Sequence, residues 1–331
     1  MCDVTYDFKP ARKAFSRIGF ALSAILVIAT VMQLLWFTVS LLLWGKDNWL
    51  TTSSWGMWIG SFAPLYLVAI PLGLLIMRKL PAQTPEDHKL EAKHFWVILP
   101  VCFFLMYGGN LIGTLLSFLL SGGNAQNDLV DYAMDTNPLK ILVMVILAPF
   151  LEEYVCRKQI IDRTRQYGEK VAVLLSALTF GLLHQNLFQF FYAFALGLVF
   201  AYIYIRTGRL RYPVILHSII NFMGSVVAPW ILTLLNPDVL ANIDPNAPAE
   251  ELMGYYGQIL PGLIVSLLYS LLLGGMAIAG LVLFLVHRKD LIWKPSETPL
   301  PPKSGIKTVY LNAGMIGYIL LCMAMIVLSL L

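Results

Sequence analysis

The sequence predicts an all-α, polytopic integral membrane bundle of about nine transmembrane helices, and three observations carry that expectation. Hydrophobic residues make up 58% of the 331 and charged residues 13%, and a mean hydropathy of +0.74 is more apolar surface than a soluble core hides. Apolar runs close to the about 20 residues that cross a hydrocarbon core recur along the whole chain. Basic residues gather in alternate loops, as expected where Lys and Arg stay on the cytoplasmic side.

The runs lie near 15–44, 54–77, 95–120, 138–157, 170–186, 188–205, 211–235, 257–287 and 309–331. Lys9, Arg12, Lys13 and Arg17 precede the first, and Arg78, Lys79, Lys89 and Lys93 separate the second and third. Arg157, Lys158, Arg163, Arg165 and Lys170 follow the fourth, Arg206, Arg209 and Arg211 the sixth, and Arg288, Lys289, Lys294, Lys303 and Lys307 the eighth. The intervening loops carry Asp128, Asp131 and Asp135, or Asp238, Asp244, Glu250 and Glu251. This alternation places the N-terminus in the cytoplasm and the C-terminus outside. The net charge of +4 then belongs to cytoplasmic loops and does not point to nucleic acid. The first apolar run is too long for a cleaved signal peptide and reads as a signal anchor.

No loop is long enough for a soluble domain, so 1–331 reads as one membrane domain. The four cysteines, Cys2, Cys102, Cys156 and Cys322, have no CxxC spacing and indicate neither a disulfide framework nor a cysteine zinc site. Gly109 and Gly113 form a GxxxG pattern that predicts close helix packing.

The fourth run carries Glu152 and Glu153, with Arg157 at its expected cytoplasmic end. Ionisable side chains inside a span are expensive and mark functional sites by default. Residues four apart share a helix face, so Glu153 and Arg157 are expected to pair while Glu152 turns aside toward a cavity. His184 and His217 are also placed in apolar runs, with Phe180 one turn before His184 and Asn221 one turn after His217. A carboxylate that activates water, imidazoles that position it or protonate a leaving amine, and a carboxamide that donates to an oxyanion suffice for amide hydrolysis. No GxSxG elbow, HExxH helix or mid-span aspartate offers a competing design. A zinc ion held by Glu152, His184 and His217 is a further option, since two histidines and a carboxylate are a hydrolytic zinc set.

Three motifs now carry a resemblance. Glu152-Glu153-Tyr154-Val155-Cys156-Arg157 resembles EExxxR, Phe180-Gly181-Leu182-Leu183-His184 resembles FxxxH, and His217-Ser218-Ile219-Ile220-Asn221 resembles HxxxN of the CPBP (CAAX protease and bacteriocin-processing, or Abi) family. The resemblance covers about 138–225, with 15–120 and 257–331 as flanking helices. It implies a glutamate-dependent intramembrane endopeptidase in a bacterial plasma membrane, acting on a peptide or protein that is CAAX-processed or otherwise membrane-associated. The expected partners are membrane lipid and that peptide or protein substrate. Glu152 would activate water with His184, His217 and Asn221 would stabilise the oxyanion, and Glu153, Arg157 and Phe180 would support them. Family members have been described as metalloproteases, but the expectation here is a mechanism without a cofactor. A proton-coupled transporter using Glu152 and the histidines as a relay, and a catalytically silent immunity or scaffold protein, are the alternatives.

Depth is the difficulty. With about 1.5 Å per residue, Glu152 stands roughly 8 Å above Arg157 and His217 roughly 9 Å above Arg211, but His184 roughly 21 Å above Lys170. The segment 158–170 is therefore expected to be helical and partly amphipathic, shifting the start of the next span.

Overall fold

The computed structural model describes residues 7–244 and 246–331; Cys2 lies outside them. The described residues are helical, with no strand among them. Six helices are long and apolar enough to cross a membrane: α1 (Lys9–Trp44), α2 (Ser54–Met77), α3 (Ala92–Ser121), α6 (Leu187–Thr207), α7 (Arg211–Leu234) and α8 (Ala249–His287). Between α3 and α6 lie α4 (141–164) and α5 (Glu169–Leu183). After α8 come α9 (Pro302–Tyr310) and α10 (Ala313–Leu328), which make a seventh span if the pair, bent by 69°, is counted as one.

All nine expected segments are helical, yet the count of nine spans is not reproduced by length and apolarity alone. The two that fall short are the ones that carry the candidate chemistry. Helix α4 is interrupted by charges, and α5 has only 15 residues. Both are packed among other helices, which removes the need for a continuous lipid-facing apolar surface.

Three apolar clusters among the described residues hold the bundle, the smallest joining Ile161 of α4 and Val173 of α5 to Tyr204 of α6, and the two larger ones frame the candidate chemistry. One joins Phe15, Leu22 and Ile25 of α1 to Val155 and Ile160 of α4, Leu175 and Phe180 of α5, and Tyr318 of α10. The other joins Phe103 of α3 to Leu196 and Phe200 of α6 and Leu216 and Ile220 of α7. Outward faces stay apolar, as with Leu34, Leu111, Leu267 and Leu271. Exposed tryptophans stand near helix ends, among them Trp44, Trp49, Trp96 and Trp230, as at the interfaces of membrane proteins. Gly109 and Gly113 justify the GxxxG reading: a Cβ on Gly109 would lie 2.4 Å from Tyr192 Cα, and one on Gly113 2.6 Å from the Leu187 carbonyl oxygen.

The basic loops meet at one end of the bundle. Gln83 N–H donates to the Asp162 carbonyl and His88 N–H to that of Thr207. Lys294 Nζ reaches Glu86 at 2.6 Å, and the N–H groups of Thr298 and Leu300 bind the carbonyls of Gln166 and Tyr167. At the opposite end Asp135 accepts from Ser54 Oγ and Trp58 Nε1.

Four stretches relax into π-helical turns, 64–69, 141–147, 154–161 and 223–227. Such turns misalign the ladder of carbonyls, and side chains from other helices fill three of the gaps. Ser176 Oγ donates to the Cys156 carbonyl, Asn221 Nδ2 to that of Met144, and Tyr269 Oη to that of Met223.

Candidate active site

Helix α4 does not end at Arg157. It continues to Thr164, a single 3-10 turn follows at Arg165–Tyr167, and Gly168, at φ +135°, turns the chain into α5. That backbone conformation favours glycine because a Cβ would crowd it. The placement of Arg157 at the membrane surface is thereby corrected: its side chain is fully buried. So is the depth arithmetic. Measured from the shared turn, Glu152 stands about 20 Å up α4 and His184 about 22 Å up α5 at the α-helical rise. The expectation of helix over 158–170 is met except at Gly168, and the stretch is largely buried, with Lys170 exposed.

Glu153 and Arg157 pair as their spacing predicts. Arg157 Nε lies 2.8 Å from Glu153 Oε2, a close ion pair whose N–H points elsewhere, since both atoms lack an aligned hydrogen bond. The aligned bond is Nη2 to Oε1 at 3.2 Å. Arg157 Nη1 also donates to Ser176 Oγ at 3.2 Å. The guanidinium sits over the Phe180 ring at 4.5 Å and 5.7 Å from the Phe200 ring, so the ion pair occupies the seam between the two larger apolar clusters. Ser176 and Phe200 are missed by motif reading; Ser176 reveals itself only by lying on the face of α5 turned to Cys156.

Glu153 has a second partner that spacing does not reveal. His217 Nδ1 lies 3.1 Å from its Oε1, which, beside a carboxylate, makes Nδ1–H the donor. The imidazole stacks on Phe200 at 5.7 Å and meets Phe180 edge-on at 5.5 Å. Its free nitrogen, Nε2, faces Glu152 Oε2 at 3.9 Å. That oxygen is buried and has no hydrogen-bond partner among the described residues, although the Glu152 side chain is 29% exposed overall.

His184 caps the end of α5. Its Nδ1 lies 2.8 Å from the Phe180 carbonyl oxygen, which fixes Nδ1–H as donor and leaves Nε2 as the acceptor. Phe180 touches this ring edge-on at 5.0 Å as well as that of His217, so the aromatic floor read for one histidine serves both. Glu152 is near enough to His184, Tyr66 and Tyr192 for its charge to act on each; neither tyrosine belongs to a motif.

Asn221 is engaged differently. Ala148 N–H reaches back five residues to the Val143 carbonyl. In that register the next carbonyl, Met144's, falls opposite Pro149, which has no N–H to give. Asn221 Nδ2 supplies the missing donor at 2.8 Å and ties α7 to α4 just before the glutamates.

The zinc option gains no support from the side-chain positions. Among the described residues no three His, Cys, Asp or Glu side chains converge closely enough to hold a metal ion, and no step is derived through one.

Fold and site define a class: an integral membrane helical protein whose buried Glu–Arg–His cluster is built from α4, α5 and α7. A family model described as "Type II CAAX prenyl endopeptidase Rce1-like" matches residues 135–223, which contain every residue of that cluster. A putative membrane peptidase of Bacillus subtilis, YdiL, is 26% identical over 164 residues, 47% of this chain and 66% of its own length. The membrane-embedded CAAX protease MroQ of Staphylococcus aureus is 29% identical over 203 residues, 56% of this chain and 79% of its own. The chain thus spans just under two thirds of the first relative. No solved structure matches it. Together these matches support a member of the CPBP family, the family model being matched over residues 135–223.

Proposed function

We propose that this protein is an intramembrane endopeptidase that hydrolyses a peptide bond of a membrane-associated or lipidated substrate with water activated by Glu152. The observation that carries the reading is the contrast between the carboxylates. Glu153 Oε1 accepts from both Arg157 and His217, and its Oε2 lies 2.8 Å from Arg157 Nε, whereas Glu152 Oε2 is buried without a hydrogen bond and 3.9 Å from His217 Nε2, a separation one water can bridge.

Glu152 takes a proton from that water while His184 Nε2 accepts from its other O–H, and the hydroxide attacks the scissile carbonyl carbon. His217, held by Glu153, donates Nε2–H to the developing oxyanion; the amide N–H of Asn221 not used by Met144 is the second donor. Collapse breaks the C–N bond, and the proton on Glu152 passes to the leaving amine. No cofactor enters these steps. The N-terminus-inside, C-terminus-outside orientation is part of the proposal. It rests on the gathering of the basic loops at one end of the bundle, and it places the glutamates inside the membrane, reached from the cytoplasmic leaflet of a bacterial plasma membrane.

The test uses Glu152→Gln in native membranes. Peptides that co-purify with the variant are identified by mass spectrometry and presented to the native protein, beside a farnesylated CAAX peptide and its unprenylated form. Loss of general-base chemistry lowers cleavage by about 10²–10⁴-fold with the fold intact, and native activity survives exhaustive chelation. Full cleavage by the variant sinks the mechanism, and ion-coupled uptake by protein in liposomes without cleavage favours a carrier.

A further inference from the structure

Far from the glutamates, the first two turns of α1, the lower flank of α2 and the α9–α10 elbow enclose a cavity of about 550 Å³. Lys9, Arg12, Lys13 and Arg17 line it, and spacings of three, four and eight put them on one side of the helix. None has a carboxylate partner among the described residues. Elsewhere at this end of the bundle Lys158 pairs with Asp162, Arg206 with Glu169, Arg209 with Asp87 and Lys294 with Glu86; what sets the four apart is that they line one cavity. The nearest acid in sequence, Asp7, accepts from the Lys9 backbone N–H at 3.0 Å and ion-pairs with none of the four side chains, so four cations around one concavity are arranged for an anion from outside the chain.

The rest of the lining says which kind of anion. Below the cations the wall is Phe20 and Ile76, 53% and 36% exposed on the flanks of two spans, so the cavity opens onto the surface that lipid tails cover. Its other wall is the elbow. Arg12 Nη2 donates to the Leu311 carbonyl oxygen at 3.1 Å, Gly314 N–H donates to Ser16 Oγ at 3.1 Å, and Asn312 caps the first turn of α10. The 69° bend there turns α9 away from the direction of the span, as in a helix lying along an interface.

We infer that this cavity is a binding site for an anionic phospholipid, its phosphate held by Lys9, Lys13 and Arg17 and its first acyl carbons against Phe20 and Ile76. Arg12, already fixed on the elbow, adds charge without having to be ordered. The inference does not rest on proteolysis; it rests on the basic end of the bundle facing the cytoplasmic leaflet, where anionic lipids attract juxtamembrane cations.

The test is native mass spectrometry of the full chain in neutral detergent, titrated with phosphatidylglycerol, phosphatidylcholine or inorganic phosphate. Phosphatidylglycerol is expected to occupy one site in preference to phosphatidylcholine. Lys9→Gln with Lys13→Gln, two exposed positions, weakens it by about 25-fold, from roughly fivefold per cation near a charged headgroup. Arg17→Gln alone weakens it about fivefold. Arg288→Gln with Lys289→Gln, the same charge change elsewhere on the basic end, leaves it unaltered. Equal binding of the two lipids, equal loss in the control pair, or displacement by inorganic phosphate at comparable concentration overturns the proposal. The last of these marks a soluble-anion site instead.

Discussion

Replacing Arg157 with Met separates the charge of the buried pair from its volume. The methionine fills the slot between Phe180 and Phe200, but Glu153 loses its ion pair at 2.8 Å and its aligned hydrogen bond at 3.2 Å, and Ser176 Oγ loses its donor. Both partners have fully buried side chains, so no water replaces the guanidinium. Breaking such a pair from one side costs about 3–5 kcal/mol because a bare carboxylate stays behind. Replacing both partners costs much less: in Glu153→Gln with Arg157→Met the amide oxygen still accepts from His217 Nδ1 and no charge is stranded. The double variant is therefore expected within about 1–2 kcal/mol of the native protein, with a coupling of at least about 2 kcal/mol between the substitutions. Reversible unfolding in mixed detergent micelles, followed by loss of helical circular dichroism, measures all four corners of the cycle. A cost under about 1 kcal/mol for Arg157→Met, well below the range for a broken buried pair, refutes the reasoning. So does a double variant as unstable as the sum of the single ones.

Asn221→Ala leaves the Met144 carbonyl oxygen without a donor in a helix that cannot supply one, and should cost about 1–3 kcal/mol in the same unfolding assay; an unaltered midpoint would show that the clamp contributes nothing. Gly109→Val drives a side chain into the backbone of α6 at Tyr192 and should destabilise by about 1–3 kcal/mol, whereas Gly108→Ala, which meets nothing, should not. The hydrogen bonds from Lys294 and His88 lower the Glu86 carboxyl to about 2. A depressed folded value means that the anchoring of the 288–301 strap is complete above the unfolded value, about 4.3, and fades as pH falls toward 2. Trp293 emission, taken as the difference from Trp293→Phe, should change across that window and lose the step in Glu86→Gln; an identical profile in that variant refutes the assignment.

Much of the helical order was legible because hydropathy and loop charge are summed over long windows. All nine segments could be placed, and the Glu153–Arg157 pair followed from a spacing of four. What stayed hidden depends on contacts between helices distant in sequence. The Glu153–His217 bond spans 64 residues, and nothing in either motif says which carboxylate the imidazole meets. Arg157 misled because an arginine after an apolar run ordinarily marks the interface, and hydropathy cannot tell a cation in headgroups from one enclosed between two phenyl rings. The engagement of Asn221 was half legible: Pro149 in a helix announces an orphaned carbonyl, but only the fold identifies its donor.

The charges of the cluster suggest why two adjacent glutamates are needed. A net charge stranded in a medium of low dielectric is costly, so the glutamates are best read together with the charges around them. Glu153 and Arg157 cancel each other, but the pair also aims Glu153 Oε1 at His217 Nδ1, which fixes the ring with Nε2 toward Glu152. With Glu152 ionised and His217 protonated the four groups sum to zero. Moving one proton across the 3.9 Å between them leaves the sum unchanged, so neither state strands a net charge in the bundle. On the proposed mechanism the second glutamate therefore acts through the histidine, letting the first keep its charge until a water delivers the proton.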